Sequence, residues 1–261
     1  MFYSSNDIKY GIFFNFLIKY IYPIMILFYP INIKNKENIY KDVNKSCIYI
    51  SRHTLHNYEL LLGLFTLNQY SPKLIRGLGH YLIYLLCPWY FLLGVIVGTK
   101  KNAEILIKNN EYLFVIPGGA EEMTFGNENF YKTYWYSKSK KYKTGFAKLA
   151  YDNNLAVIPI HGKNVEYMIF SPFIYIANKL RITKLYHNIM IITNNLVIYK
   201  ILFYIKMFFT MVFGCILIIP IPTKIEFKIG KHMYKEQNET LIEYTKRCEK
   251  ELNKLIQEKI E

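Results

Sequence analysis

The chain has 261 residues, 52% of them hydrophobic, and a formal net charge of +14. That length suits one large domain with a sizeable core and room for a short appendage. The lysines are scattered and no nucleic-acid motif accompanies them, so the basic balance fits an anionic lipid surface and not DNA or RNA.

In chain order, residues 11–32 are almost wholly apolar, with Lys19 the only charge. A spanning helix needs about 20 such residues. Pro23 and Pro30 interrupt the run, so it reads as an uncleaved N-terminal membrane anchor, residues 1–40, that crosses once or dips into one leaflet. No small-x-small cleavage site follows it. Residues 41–261 then read as one domain. "SCIYISR" (46–52) alternates and predicts a strand, "NYELLLGLFTLNQ" (57–69) a helix with a buried Leu/Phe face, and "PKLIRGLG" (72–79) a second strand and turn. Residues 81–98 are apolar on all sides, which implies burial or membrane contact. A helix at 102–110, a buried strand at 111–119 ending in glycines, a helix at 144–154 and a strand at 155–162 follow. Residues 195–220 form a second apolar stretch, a membrane-resting helix or a hydrophobic wall. Residues 223–231 alternate as an edge strand, and 238–261 predict a charged amphipathic helix. Strands alternating with helices make an α/β domain around a mixed central sheet.

Cys47, Cys87, Cys215 and Cys248 form no CxxC pair and are spaced too widely for a zinc knuckle. They are expected as free thiols in a reducing compartment. His53 and His56 lack a third ligand at metal-binding spacing, so no metal site is expected.

The chemistry centres on "SRHTLHNYELLLG" (51–63). His53 falls in a strand-to-helix turn and Glu59 in the first helical turn. A carboxylate on one imidazole nitrogen fixes the tautomer and raises basicity at the other, which is how a base for an alcohol is built. The same two residues also fit a capping histidine and a glutamate favoured by the helix dipole. "FVIPGGAEE" (114–122) ends a buried strand in Pro117, Gly118 and Gly119, where backbone N–H groups can approach a ligand or an oxyanion. Of the other histidines, His80 reads as packing, His161 lies near the site, and His187 and His232 read as surface residues. Tyr134, Trp135 and Tyr136 suit an interfacial belt or a core.

Taken in order, these blocks resemble the lysophospholipid acyltransferase superfamily, and most closely its neutral-lipid branch of diacylglycerol and phytyl-ester-synthase-like acyltransferases. "RHTLHNYE" is similar to a His-x5-Asp/Glu form of the family motif, and "LFVIPGGAEE" to a "PGGxxE" block. Residues 141–167 resemble an "RKGFxxLA…VPV…GxNE" block and 220–231 a closing strand. The resemblance implies an acyltransferase domain over 41–261, with His53 and Glu59 catalytic and Pro117, Gly118, Gly119 and Glu122 binding substrate. It implies a membrane-bound enzyme, of the endoplasmic reticulum by default, that moves an acyl group from acyl-CoA to a neutral alcohol such as mono- or diacylglycerol without a cofactor. Glu121, where the family carries Arg, points away from a phosphorylated acceptor. Arg52 and Arg76 are expected to meet the donor's phosphates. A lysophospholipid or glycerol-phosphate acceptor, hydrolysis of the thioester, and non-catalytic lipid binding are the rival readings. No G-x-S-x-G elbow supports a serine hydrolase.

Overall fold

A computed structural model describes residues 8–54, 58–81, 90, 92–119, 122, 133–136, 141–193, 195–215 and 219–258. The described strands are β1 (Ile31–Lys34), β2 (Cys47–Ile50), β3 (Ile75–Gly79), β4 (Val95–Val97), β5 (Tyr112–Val115), β6 (Ala156–Lys163), β7 (Ile169–Phe170), β8 (Ile219–Pro220) and β9 (Ile225–Ile229). The helices are α1 (Ile8–Phe28), α2 (Tyr58–Asn68), α3 (Lys100–Lys108), α4 (Gly145–Asn153), α5 (Pro172–Lys179), α6 (Ile182–Ile192), α7 (Leu196–Cys215) and α8 (Leu241–Gln257).

Seven strands form one sheet in the order β1-β9-β6-β2-β5-β3-β4, and β7 pairs β8 in a small second sheet. All neighbours in the large sheet run parallel except β6 and β9. The expected α/β domain with a mixed central sheet is therefore present. A parallel sheet buried on both faces needs apolar residues on both sides of each strand, and β2 shows how the sequence supplies them. Cys47 and Tyr49 join the core shared with α1 and α2. Ile48 and Ile50 join the core shared with α3, α4 and α8. In β5, Tyr112 and Phe114 face the first layer and Leu113 the second.

Helix ends are set by local chemistry. Thr99 caps α3 by accepting from the Asn102 amide at 3.1 Å. Thr240 and Glu243 form a reciprocal capping box at the start of α8. Tyr244, Cys248 and Leu252 then bury one stripe of α8 against the sheet.

Several expectations need correction. The apolar N-terminal run is a helix that carries Pro23 inside it and ends at Phe28. Among the described residues no helix is long and apolar enough to cross a membrane. β1 follows at once and pairs β9, which ties the 1–40 segment to the sheet. β9 is no edge strand, because β1 and β6 flank it. Its charged residues mislead: Lys228 is buried and sits opposite His161 in the ladder. Helices α5 and α6 fill a stretch to which the sequence assigned no element. Of the stretch 81–98, residues 82–89 and 91 lie outside the described residues, and β4 forms near its end.

Candidate active site

β2 and β5 are parallel neighbours, so the segments that follow them leave the sheet at the same edge. A backbone bond from Ser51 N–H to Val115 O (3.1 Å) holds the two ends together. His53 lies on the first segment and Pro117–Gly119 on the second. Ligands bind α/β sheets in the crevice beyond the carboxyl ends of the strands, and these groups stand there.

His53 is half-buried, and its Nδ1 lies 2.7 Å from the Thr54 carbonyl oxygen. A carbonyl only accepts, so Nδ1 carries the proton and Nε2 keeps its lone pair. Burial pushes the imidazole down from 6.5 to about 4; the Thr54 bond opposes this and the Lys143 charge adds to it. The ring is therefore neutral at pH 7. Glu59 sits in the first turn of α2, as expected, but its side chain lies outside the described residues. The described partner of the histidine's Nδ1 is Thr54.

Glu122 is the most informative residue of the site. Its Oε2 accepts from the His53 amide at 2.8 Å and its Oε1 from the Tyr134 amide at 2.6 Å. The carboxyl lies against Gly118 so closely that a Cβ at 118 would fall 1.8 Å from the Glu122 Cδ. Glycine at 118 thus makes room for a brace. Burial pushes the Glu122 carboxyl up to about 7, against the pull of its two amide donors and of Lys143 and Arg52. Glu122 was expected to bind substrate, but here both oxygens are engaged by protein backbone. It clamps the segment carrying His53 to the glycine block.

The glycine block departs from expectation in one further respect. Gly119 takes the left-handed conformation (φ 59°), which favours glycine. Its N–H is used in the turn, donating to Ile116 O at 3.0 Å, so it does not point at a substrate oxyanion. The Gly118 carbonyl accepts from the Lys143 ammonium. Lys143 was not singled out from the sequence, although it stands where the family block "RKGF" has its Arg. Its charge acts on both His53 and Glu122.

Beside these groups opens a cleft of about 840 Å³ between α3 and α4. Pro117, Gly119 and Lys143 line it, together with the apolar Leu78, Phe146 and Leu149. Lys100, Lys108 and Lys148 share the lining with Glu104 and Asp152. His80 also lines it and is exposed, where packing was expected. Arg52 and Arg76 are buried and do not reach this cleft as donor-phosphate ligands. Arg52 instead pairs with Glu166 at 3.7 Å, both side chains buried. His161 is buried on β6, and burial first, then Arg52 and Lys228, holds it down at about 3. His232 bonds to Asn38 O at the surface. Trp135 packs in the core on Phe146, the second of the two readings given for 134–136, while Tyr136 is exposed. His56, Glu121 and the side chain of His187 lie outside the described residues. Cys47 and Cys248 are free and buried. Among the described residues no His, Cys, Asp and Glu cluster could hold a metal.

No protein-family model matches the chain, and no curated relative does. A solved structure does: the crystal structure of the 1-acyl-sn-glycerophosphate (LPA) acyltransferase PlsC from Thermotoga maritima superposes with a TM-score of 0.53. The match covers 93% of this chain and 78% of that chain, at 14% identity. The two proteins share a fold. The likeness agrees with the superfamily to which the sequence blocks point; at this identity it speaks for the architecture.

Proposed function

We propose that the chain is an O-acyltransferase that moves an acyl group from a thioester to the hydroxyl of a glycerolipid acceptor. The observation that carries this is His53: a neutral imidazole with Nδ1 committed to Thr54 and Nε2 left as the base, its backbone held by Glu122 against the glycine block whose Pro117 and Gly119 line the cleft. The shared fold with a glycerophosphate acyltransferase supports it.

In this mechanism His53 Nε2 takes the proton of the acceptor hydroxyl as its oxygen bonds to the thioester carbonyl carbon. The C–S bond then breaks, and the imidazolium returns the proton to the leaving thiolate. A base held near 4 accepts a proton only as the new C–O bond forms. The carbonyl oxygen gains negative charge during attack, and Lys143 is the nearby cation suited to stabilise it. Glu59, if it reaches His53 during turnover, completes the expected pair.

A phosphorylated acceptor, such as a lysophospholipid or an acylated glycerol phosphate, fits best. Its anion would offset the Lys143 charge that helps hold His53 down, and so strengthen the base. A neutral alcohol is the second reading, because Pro117, Gly118, Gly119 and Glu122 match the "PGGxxE" block of the neutral-lipid branch that the sequence resembles. A membrane location, with the endoplasmic reticulum as default, belongs to the same proposal.

The test is an assay in detergent or membranes with labelled acyl-CoA and acyl carrier protein thioesters. The acceptors are lysophosphatidic acid, glycerol 3-phosphate, monoacylglycerol and diacylglycerol. A new phospholipid names the first reading and a new neutral ester the second. Free fatty acid as the sole product assigns hydrolysis, and no turnover from folded protein rejects both.

A further inference from the structure

Residues 172–215 form three helices, α5, α6 and α7, inserted between β7 and β8. They pack chiefly on one another. The Tyr186 hydroxyl of α6 donates to Leu202 O of α7 at 2.7 Å. Their buried side chains, Met190, Tyr199 and Met207, belong to neither core of the sheet. The outer surface is apolar to an extent that water does not favour: Leu180 is 64% exposed, Leu185 62%, Ile192 74% and Val197 65%.

The charge pattern says what covers this surface. From Tyr167 to Ile225 the chain contains no Asp or Glu, while Lys179, Lys184, Lys200 and Lys206 lie on the three helices and Arg181 in the turn between α5 and α6. All of these cations except Lys206 are exposed. An apolar protein interface carries charges of both signs at its rim as readily as one. Exposed aliphatics among cations alone match a bilayer whose acyl boundary takes the apolar side chains and whose anionic headgroups take the lysines.

We propose that α5–α7 dock the protein on an anionic lipid bilayer, lying in its surface. The position of the insertion gives this docking a use. Its root is tied to the end of α1, where the Tyr29 hydroxyl donates to Met168 O at 3.2 Å. α1 carries its own exposed apolar residues, including Leu27 at 80%. Glu166, two residues before Met168, pairs with Arg52, the residue before His53. The docking face and the crevice are thus linked through a few residues, so a lipid surface on one lies beside the other. The proposal stands on the surface itself and does not depend on the chemistry assigned to His53.

The test is vesicle flotation of the full chain with phosphatidylcholine alone and with 30% phosphatidylserine added, beside two variants. Wild type should bind the anionic vesicles at least about tenfold more tightly, an advantage lost in high salt. Leu185→Asp/Ile192→Asp should lose binding to both vesicles by tenfold or more, with an unchanged unfolding temperature. Lys179→Glu/Arg181→Glu/Lys184→Glu should lose the anionic preference and retain the weak neutral binding. If the first variant floats as wild type does, the surface is not the dock and the proposal fails. If wild type is a dimer that this variant makes monomeric, without vesicle binding in either, the face is an interface between two copies and the proposal fails as well.

Discussion

At the scale of single residues, the account turns on Gly118, Glu122 and His53. Gly118→Ala places a methyl group where the Glu122 carboxyl lies. The carboxyl must leave, stranding the His53 and Tyr134 amides, at about 1–3 kcal/mol for each buried group left unpaired. The expected outcome is a loss of stability in chemical unfolding together with a large fall in turnover, whereas Gly119→Ala, with open space around it, should cost only about 1–2 kcal/mol of backbone strain. His53 itself sets the acid limit of the reaction. Because burial holds it near 4, the limb of kcat/KM that reports His53 should fall through about 4, below any change that Glu122 contributes near 7. An acid limb centred at 6.5 in the measured profile, with none near 4, would show that the base is an unperturbed histidine. His53, Gly118 and Gly119 are legible in the sequence because each sits just past a short apolar strand. The brace is not. Glu122 touches His53 across 69 positions, and only the fold discloses that contact. Lys143 escapes for a related reason: in a chain this rich in lysine, nothing but position marks it.

At the scale of elements, α8 shows how a sequence pattern becomes stability. Its Thr240–Glu243 capping box is readable from residue spacing, and so is the stripe of Tyr244, Cys248 and Leu252. Thr240→Ala should cost about 1 kcal/mol. Leu252→Ala, in a fully buried site, should cost about 2–5 kcal/mol. Both are checked by denaturant titration, and equal losses would mean that α8 is not held by its buried stripe. The strands β2, β5 and β6 are legible for a different reason, short unbroken apolar runs that are buried on both faces. β9 is legible as a strand but not as an interior one, because Glu226 and Lys228 look solvent-facing. Lys228 instead reaches Glu258 beyond α8, at 3.6 Å. α5 and α6 are hidden by composition. Their apolar residues stay exposed, so no inward stripe stands out against a chain rich in Ile, Tyr and Asn.

At the scale of the whole molecule, two parallel neighbours at the middle of the sheet bring residue 53 beside residues 117–119, and the other connections carry charges inward. The buried histidine His161 is neutral in the folded chain down to about 3, while in the unfolded chain it takes up a proton at 6.5. Between those values the unfolded state holds the extra proton, so stability falls as pH drops, by up to about 1.4 kcal/mol per pH unit for this group. His161→Gln should flatten the acid limb of unfolding free energy measured from pH 7 to 4. A parallel downward shift at all pH values would mean that His161 titrates alike in the folded and unfolded chains.

The central claim is that His53 is the base of an acyl transfer, and the most direct measurement is the rate for His53→Ala beside wild type. Labelled acyl thioester and the acceptor identified for wild type would be supplied to both, with folding verified by the same unfolding curve. The account predicts a fall in kcat of about 10²–10⁴-fold with the product unchanged. A folded variant that transfers acyl groups at the wild-type rate would contradict it.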